Sequence, residues 1–270
     1  MTLRSEIKPA LSASAGDRAN LRPDFRIIAE TDDYLVVEKP AFLLVHPTKP
    51  DGPRTLWCEL KKLLAFELAN GGQVSLVNRL DRETSGLILV AKSAASARRF
   101  GLLMQQRRIA KEYLAIVWGW PTWETKMCDA PLVRQGALGI SPIHLKQAVH
   151  PKGAEARTKF QVERRFSRQT TAGEKFSVIR ALPLTGRTHQ IRVHLANLGH
   201  PIVGDKIYGP NEQYYLQFTE TGWTAELEAA LLLPRHALHA DRLRIGTTEG
   251  WQIPLPIDLS SWLDGADALA

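Results

Sequence analysis

The sequence predicts an α+β fold with a mixed or antiparallel sheet. Many short segments show strand-like alternation or continuous apolar runs, and only a few show helical spacing. Strands and helices do not alternate regularly, which argues against the βαβ repetition of a parallel sheet. At 270 residues the chain is long enough to bury a sizeable core.

The N-terminal part of the chain is predicted to contain a tail, a strand pair and a helix. Residues 1–22 lack apolar periodicity, which is typical of a flexible tail. Arg26–Ala29 and Tyr34–Val37 are predicted to form paired strands around a short polar turn. Leucines recur at helical spacing from Thr55 to Leu68, and Gly71 then supplies a natural end to the helix.

The next segments are a strand, a helix, a second strand and an irregular excursion. Leu87–Val90 is apolar throughout, which predicts a strand buried on both faces. Ser93 is a suitable N-cap for a helix that carries Phe100 on its apolar face. Tyr113–Trp118 is predicted to be a strand, whereas residues 119–156 show little periodicity and are predicted to be irregular.

The C-terminal part returns to strands around one helix. Thr158–Phe166 and Phe176–Leu182 alternate as strands do. Ile191–Leu198 has helical apolar spacing, and Gly199 is the natural C-terminal stop. Arg242–Ile245 is predicted to be the last strand.

We find no internal repeat and no low-complexity linker, so the sequence predicts one domain over residues 23–262. Residues 263–270 are expected to form a C-terminal tail. No coiled coil is evident, which favours a monomer.

The composition favours a polyanionic partner. The formal net charge is +7, and RNA or DNA is preferred to an acidic membrane because no basic amphipathic helix stands out. The sequence lacks an apolar run that could span a membrane and lacks a secretion signal. Cys58 and Cys128 have no CxxC spacing, which suits reduced thiols in a cytoplasm.

Several function classes lack their sequence motifs. There is no phosphate-binding GxxxxGK[ST] or GxGxxG loop, no GxSxG nucleophile elbow, and no HExxH or CxxC zinc pattern. A nucleotide cofactor and a metal are therefore not expected. Asp205 follows Gly204 in what we interpret as a structural turn, although its carboxylate could also bind an ion.

Two charged segments beside glycine-marked turns carry the chemical prediction, residues 78–86 and residues 185–192. Asp81 in the first segment could act as a nucleophile or base, or it could only cap a turn. Partial burial would raise the pKa of Asp81 unless a cation compensated. Arg192 in the second segment could supply that cation through a forked pair, or it could be a solvated surface residue.

Three further residues could contact a nucleic acid. Tyr113 could stack on a base, or it could be a core aromatic. Arg187 lies just before a helix, a place suited to phosphate, and Arg79 could enter a helix from which a base has left. Either arginine could instead be an ordinary surface cation.

These segments together resemble the RluA-like family of pseudouridine synthases over roughly residues 25–257. The matching segments are Val37–Ala41 with His46-Pro47, Asn78–Asp81 with Thr84–Gly86, Lys111–Ala115, Thr185–Leu195, Gly199–Asp205 and Leu238–Ala240. The resemblance implies an α+β fold with a mixed, mainly antiparallel sheet and an active-site cleft across it.

The resemblance also implies roles for individual residues. Asp81 would be the catalytic aspartate, Arg192 its ion-pair partner and Tyr113 the residue that contacts the target uracil. The expected substrate-binding residues are Arg79, Arg187, His189, Gln190, Lys39 and Arg82. The family needs neither a cofactor nor a metal. The expected substrate is ribosomal RNA of the large subunit, transfer RNA or both, with the target uridine flipped out of the stack.

Two positions depart from the family pattern. Asn78 stands where the family usually has His, and Phe42 stands where it usually has Gly, which changes the shape of that loop. Because the chain begins close to the first predicted strand, we do not expect the separate small RNA-binding domain that some relatives carry. The alternative functions are a catalytically silent RNA-binding or assembly factor, and a methyltransferase, for which no cofactor loop is present.

Overall fold

The computed structural model describes residues 25–49 and 52–264, together with the backbone of residues 267–268. The predicted tail of residues 1–22 lies outside the described residues. The strands are β1 (Arg26–Glu30), β2 (Tyr34–Lys39), β3 (Ser75–Leu76), β4 (Ser85–Ala91), β5 (Ile109–Trp118), β6 (Thr125–Asp129), β7 (Leu132–Arg134), β8 (Gln147–Val149), β9 (Arg157–Ser167), β10 (Lys175–Pro183), β11 (Leu238–Ile245), β12 (Glu249–Gln252) and β13 (Asp267–Ala268). The helices are α1 (Leu56–Leu63), α2 (Ala65–Ala69), α3 (Ala94–Gln105), α4 (Gln190–Asn197), α5 (Gln213–Thr221), α6 (Ala225–Leu231) and α7 (Ile257–Leu263).

One large sheet organises the chain. Its strand order is β1-β2-β4-β11-β5-β10-β9-β13, with β3, β6 and β12 attached beside β4, β9 and β11. Among the described strands, β4 and β11 form the one parallel ladder, and the other ladders are antiparallel. The predicted α+β class with a mixed, mainly antiparallel sheet is confirmed.

The sheet is packed on both faces. The larger core cluster includes Val37, Tyr113 and Ile191, while a second cluster forms around Phe100 of α3. Every residue of β4 is buried, and this includes the apolar run Leu87–Val90 that was predicted to be a buried strand. Ser93 caps α3 with a reciprocal capping box.

Four parts of the chain differ from the sequence prediction. The single helix expected over Thr55–Leu68 is divided into α1 and α2 at Leu64, which has non-helical backbone angles. The excursion at 119–156 contains β6 and the β7–β8 hairpin, whose strands are too short to show periodicity. The last long strand begins at Leu238 and is followed by β12. Helices α5, α6 and α7 were not predicted; they are short, and α5 has no buried residue to set an apolar pattern.

The C-terminal end joins the sheet. Leu263 closes α7, and residues 267–268 pair with β9. The rest of the segment expected to be a tail, apart from Asp264, lies outside the described residues. In the part of the chain that the structure describes, no helix is long and apolar enough to cross a membrane.

Candidate active site

The loop that carries Asp81 is held against the middle of the sheet. Asn78 is buried, and its side-chain amide donates to the carbonyl of Leu87 (3.2 Å) and accepts from the amide of Leu89 (2.8 Å). Gly86 has φ +123°, and a Cβ there would lie 2.3 Å from the carbonyl oxygen of Ala240. Only glycine therefore lets β4 pass β11 closely enough to present the loop.

Arg192 links two carboxylates. Its Nε and Nη2 donate to Asp205 at 2.6 and 2.8 Å, and its Nη1 donates to Oδ2 of Asp81 at 3.0 Å. The guanidinium is buried on α4, one residue from the apolar Ile191. The planar, multiply donating group thus acts as a rigid bridge between the Asp81 loop and the chain after α4.

Asp205 anchors the other end of this bridge. It is fully buried, and its Oδ1 also accepts from the amides of Ile207 and Tyr208, each at 3.0 Å. We interpreted this residue from sequence as a structural turn, and the turn is present. No local sequence pattern indicates that the same carboxylate holds Arg192, because that contact depends on how α4 packs.

Electrostatics keep Asp81 ionised. Burial has the largest single effect and would raise the pKa of Asp81, but the charge and hydrogen bond of Arg192, together with His189 and His236, outweigh it, so the resulting pKa lies below the ordinary value. For Asp205, burial opposes ionisation in the same way, and Arg192 again lowers its pKa. The side chain of Asp81 is 28% exposed, so an ionised carboxylate is accessible from solvent.

His189 lies near the same oxygen of Asp81 that Arg192 contacts. Its Nδ1 is 2.8 Å from the Tyr208 hydroxyl, and its Nε2 is 3.9 Å from Oδ2 of Asp81. Burial, followed by the charge of Arg192, lowers the pKa of His189 to about 4, so the ring is neutral near pH 7. His189 precedes α4 with φ 56°, a left-handed conformation.

Tyr113 lies on β5, buried in the larger core cluster. Burial raises its pKa, and the charge of Asp81 raises it further. Tyr113 is therefore a neutral phenol within electrostatic range of the carboxylate. The sequence left a core aromatic and a base-contacting residue open as alternatives; Tyr113 is a core residue, and its contact with a base stays a prediction.

Two of the expected substrate-binding residues are fully engaged inside the protein. Lys39 is buried, and its Nζ donates to the carbonyls of Pro40 (2.8 Å), Leu43 (3.0 Å) and Arg82 (3.2 Å). Burial, followed by the charge of Arg235, lowers the pKa of Lys39 to about 7. All three donors of its ammonium form have partners within the protein.

Gln190 is engaged in the same way. Its amide nitrogen donates to the carbonyl of Arg157 and to the Thr158 hydroxyl, both at 2.9 Å. Its amide oxygen accepts from the Thr185 hydroxyl (2.7 Å) and from the Arg187 amide (3.0 Å). Gln190 therefore fastens the turn before α4 to β9.

Of the remaining expected substrate-binding residues, His189 is described above, and the three arginines are exposed cations. Arg79 and Arg82 flank Asp81 on the same loop, and Arg187 lies in the turn before α4 with its Nε bonded to the carbonyl of Glu155 (2.9 Å). The structure thus places Asp81, Arg192 and His189 in one cluster, with exposed arginines beside it.

A second network beneath the loop had no sequence signal. Lys206 donates to Glu83 (2.8 Å), and the Thr84 hydroxyl lies 2.7 Å from Nε2 of His236. Burial opposes ionisation of Glu83, but His236 and Lys206 lower its pKa to about 2. These contacts tie the loop to the chain before β11. Their partners are more than a hundred residues apart, so spacing could not reveal them.

Among the described residues, no group of three or more His, Cys, Asp and Glu side chains is arranged to hold a metal ion. The chemically competent groups are one accessible, ionised carboxylate, its guanidinium partner, a neutral imidazole and a buried phenol. This arrangement can support nucleophilic or general-base chemistry by Asp81.

Comparison with known proteins assigns the family. Residues 33–197, more than half of the chain, match the model of the RNA pseudouridylate synthases. The chain belongs to this family. The resemblance drawn from the motifs in the sequence is confirmed.

Named relatives and a solved structure agree with this assignment. The chain is 35% identical over 246 residues to ribosomal large subunit pseudouridine synthase D of Nitrosomonas europaea, covering 88% of this chain and 64% of the relative. It is 34% identical over 250 residues to the protein of the same name from Pasteurella multocida, covering 90% of this chain and 71% of the relative. The structure of human RNA pseudouridylate synthase domain containing 4 matches with a TM-score of 0.67 and 23% identity, over 88% of this chain and 91% of that chain, which supports the fold.

Proposed function

We propose that this protein isomerises uridine to pseudouridine in RNA, with Asp81 as the catalytic carboxylate. The observation that carries the proposal is the 3.0 Å bond from Arg192 to Asp81, made by a guanidinium that is itself anchored on buried Asp205. The family assignment supports the reaction class.

The reaction suits a single carboxylate. The bond from N1 of uracil to C1′ of ribose breaks, a bond from C5 to C1′ forms, and the hydrogen on C5 is lost as a proton while N1 gains one. There is no net change in oxidation state. Asp81 can attack the base, attack the sugar or remove a sugar proton, and each route requires the ionised form that Arg192 maintains.

The surrounding residues divide into groups that contact RNA and groups that hold the site. We assign Tyr113 to contact with the target uracil, and Arg79 to the space that the flipped nucleotide leaves. We assign the exposed Arg82 and Arg187 to binding of the RNA backbone, and we therefore expect RNA binding to depend on salt concentration.

The assignments of Lys39 and Gln190 differ from the sequence prediction. Both were expected to bind substrate, but the hydrogen-bonding groups of each already have partners within the protein. We therefore assign Lys39 to positioning of the Asp81 loop and Gln190 to positioning of the turn before α4.

The proposed substrate is large-subunit ribosomal RNA. The printed names of the bacterial relatives favour it over transfer RNA, and the net charge of +7 suits either polyanion. We place the activity in the cytoplasm, where the free thiols Cys58 and Cys128 remain reduced. Residues 23–262 are proposed to act as one catalytic domain.

Tritium release tests this function. Large-subunit ribosomal RNA carrying tritium at C5 of uridine is incubated with the wild-type protein and with Asp81→Ala, and binding to the same RNA is measured in parallel. We expect release by the wild type and none by Asp81→Ala, with binding retained. Binding without release by the wild type would instead support the catalytically silent RNA-binding factor.

A further inference from the structure

The Tyr208 hydroxyl lies between two hydrogen-bonding neighbours. The backbone amide of Gln147, on β8, donates to it at 2.8 Å, and Nδ1 of His189 lies 2.8 Å from it on the other side. Because a backbone amide can only donate, the hydroxyl oxygen accepts from Gln147. Its own proton is then available for Nδ1 of His189.

This arrangement determines which nitrogen of His189 carries the proton. If Nδ1 were protonated, the nearly buried Tyr208 hydroxyl would accept twice and its own proton would have no acceptor among the contacts of the described residues. With Nδ1 as the acceptor, the neutral imidazole carries its proton on Nε2. That nitrogen faces Oδ2 of Asp81.

The groups around His189 are consistent with a neutral ring. Arg192 on α4 and His236 before β11 disfavour a positive charge, while Asp81 and Asp205 favour one. Burial and Arg192 prevail, and the pKa of His189 is about 4. A neutral ring with a proton on Nε2 can donate to Asp81 without neutralising it.

The two oxygens of Asp81 are therefore not equivalent. Oδ2 receives the bond from Arg192 at 3.0 Å and faces His189 at 3.9 Å. Oδ1 has no hydrogen-bond partner among the described residues. The distance of 3.9 Å exceeds a hydrogen bond, but contacts of catalytic groups often shorten only when substrate is bound.

We propose that His189 is a positioning residue: the Tyr208 hydroxyl holds it as the Nε2-protonated tautomer, its Nε2–H orients Asp81 through Oδ2, and Oδ1 is the oxygen that reacts. The inference rests on the proposed pseudouridine synthase function. Tyr208 supports both partners of Oδ2, because the Arg192 guanidinium also lies 5.1 Å from the centre of its ring.

The tautomer can be observed without an activity assay. Protein labelled with nitrogen-15 histidine is examined near neutral pH by long-range proton–nitrogen NMR, and His189 is assigned by its absence in His189→Gln. We expect a protonated Nε2 and an unprotonated Nδ1, and loss of this preference in Tyr208→Phe. A ring protonated on Nδ1, or on both nitrogens, would overturn the inference even if the enzyme is active.

Two substitutions of His189 distinguish a role in positioning Asp81 from a role in the backbone conformation at residue 189. Gln places an amide donor near the position of Nε2, whereas Asn places one near Nδ1. Asn, however, tolerates the left-handed conformation of residue 189 better than Gln does. If donation to Asp81 matters, His189→Gln retains tritium release within about threefold of wild type and His189→Asn loses about tenfold, chiefly in kcat.

The reverse order, with Asn equal to or better than Gln, would show that His189 serves only the backbone and would refute the positioning role. A wild-type protein that releases no tritium from the ribosomal RNA would refute the proposed function instead. The NMR experiment would still test the tautomer of His189, because it does not depend on activity.

Discussion

Asp81 and Asp205 bind the same guanidinium but occupy different environments. Asp205 is fully buried and accepts two bonds from Arg192 and two from backbone amides. Asp81 accepts one bond from Arg192, through Oδ2, and is 28% exposed. One carboxylate is saturated by donors, whereas the other keeps an oxygen without a hydrogen-bond partner among the described residues.

This difference separates an anchoring acid from a reacting one. Asp205 holds Arg192 in place, but its side chain has no solvent exposure and a substrate cannot reach it. Asp81 gains enough charge stabilisation to remain ionised, and its side chain stays 28% exposed. Because Arg192 is held firmly by buried Asp205, its remaining N–H group holds the Asp81 carboxylate in a fixed orientation.

The difference between the two carboxylates is tested most strongly by replacing each of them, Asp81 and Asp205, with Asn. Asp205→Asn removes the charge from a buried pair, and we expect a loss of about 3 kcal/mol in the free energy of unfolding. Asp81→Asn should cost less than about 1 kcal/mol in stability, because the site is partly solvated and forms a single bond. Urea denaturation checks both.

The effects of these two substitutions on activity should not follow their effects on stability. Asp81→Asn should abolish tritium release while the protein stays folded, whereas Asp205→Asn should lose activity together with stability. A stable Asp205→Asn protein with wild-type release would contradict the anchoring role.

Arg192→Lys tests the bridge itself. An ammonium cannot donate in a forked geometry to Asp205 and also reach Asp81, so the two carboxylates lose their common support. We expect a decrease on the order of 100-fold in kcat, equivalent to about 2.7 kcal/mol in activation free energy. Single-turnover tritium release with saturating protein measures it. A decrease confined to RNA affinity would show that Arg192 binds RNA instead.

A smaller effect is expected at Phe42, in the loop that Lys39 holds near Arg82. Phe42 is 47% exposed and has φ 67°, a conformation unfavourable for a residue with a Cβ. Phe42→Gly should be more stable than Phe42→Ala by about 1 kcal/mol, because both lose the ring but only glycine relieves the backbone. Thermal denaturation of the two variants checks it, and equal stabilities would argue against strain.

The sequence predicted those parts of the fold and site that depend on local pattern. The apolar run of β4, the cap at Ser93 and the stop at Gly199 were predicted because each follows from neighbouring residues. The contact between Asp81 and Arg192 was expected from a carboxylate and a guanidinium in two motifs, and the structure contains it.

The parts that sequence missed depend on tertiary contacts. Nothing local indicates that Asp205 supports Arg192 or that Tyr208 contacts His189, because those contacts arise only when α4 packs. For Gln190 and Lys39 the motifs led us to expect substrate binding. Only the structure shows that their hydrogen bonds are made within the protein.

The pH dependence of the single-turnover rate tests the central claim most directly. If Arg192 holds Asp81 ionised, the rate should be constant from neutral pH down to about pH 5 and fall only below the ordinary aspartate pKa of about 3.9. In Arg192→Lys the effect of burial is no longer fully offset, so the decrease should begin at higher pH. Circular dichroism at each pH confirms that the protein stays folded. A wild-type rate that already falls with an apparent pKa of 5 or above, or a profile unchanged in Arg192→Lys, would contradict the account.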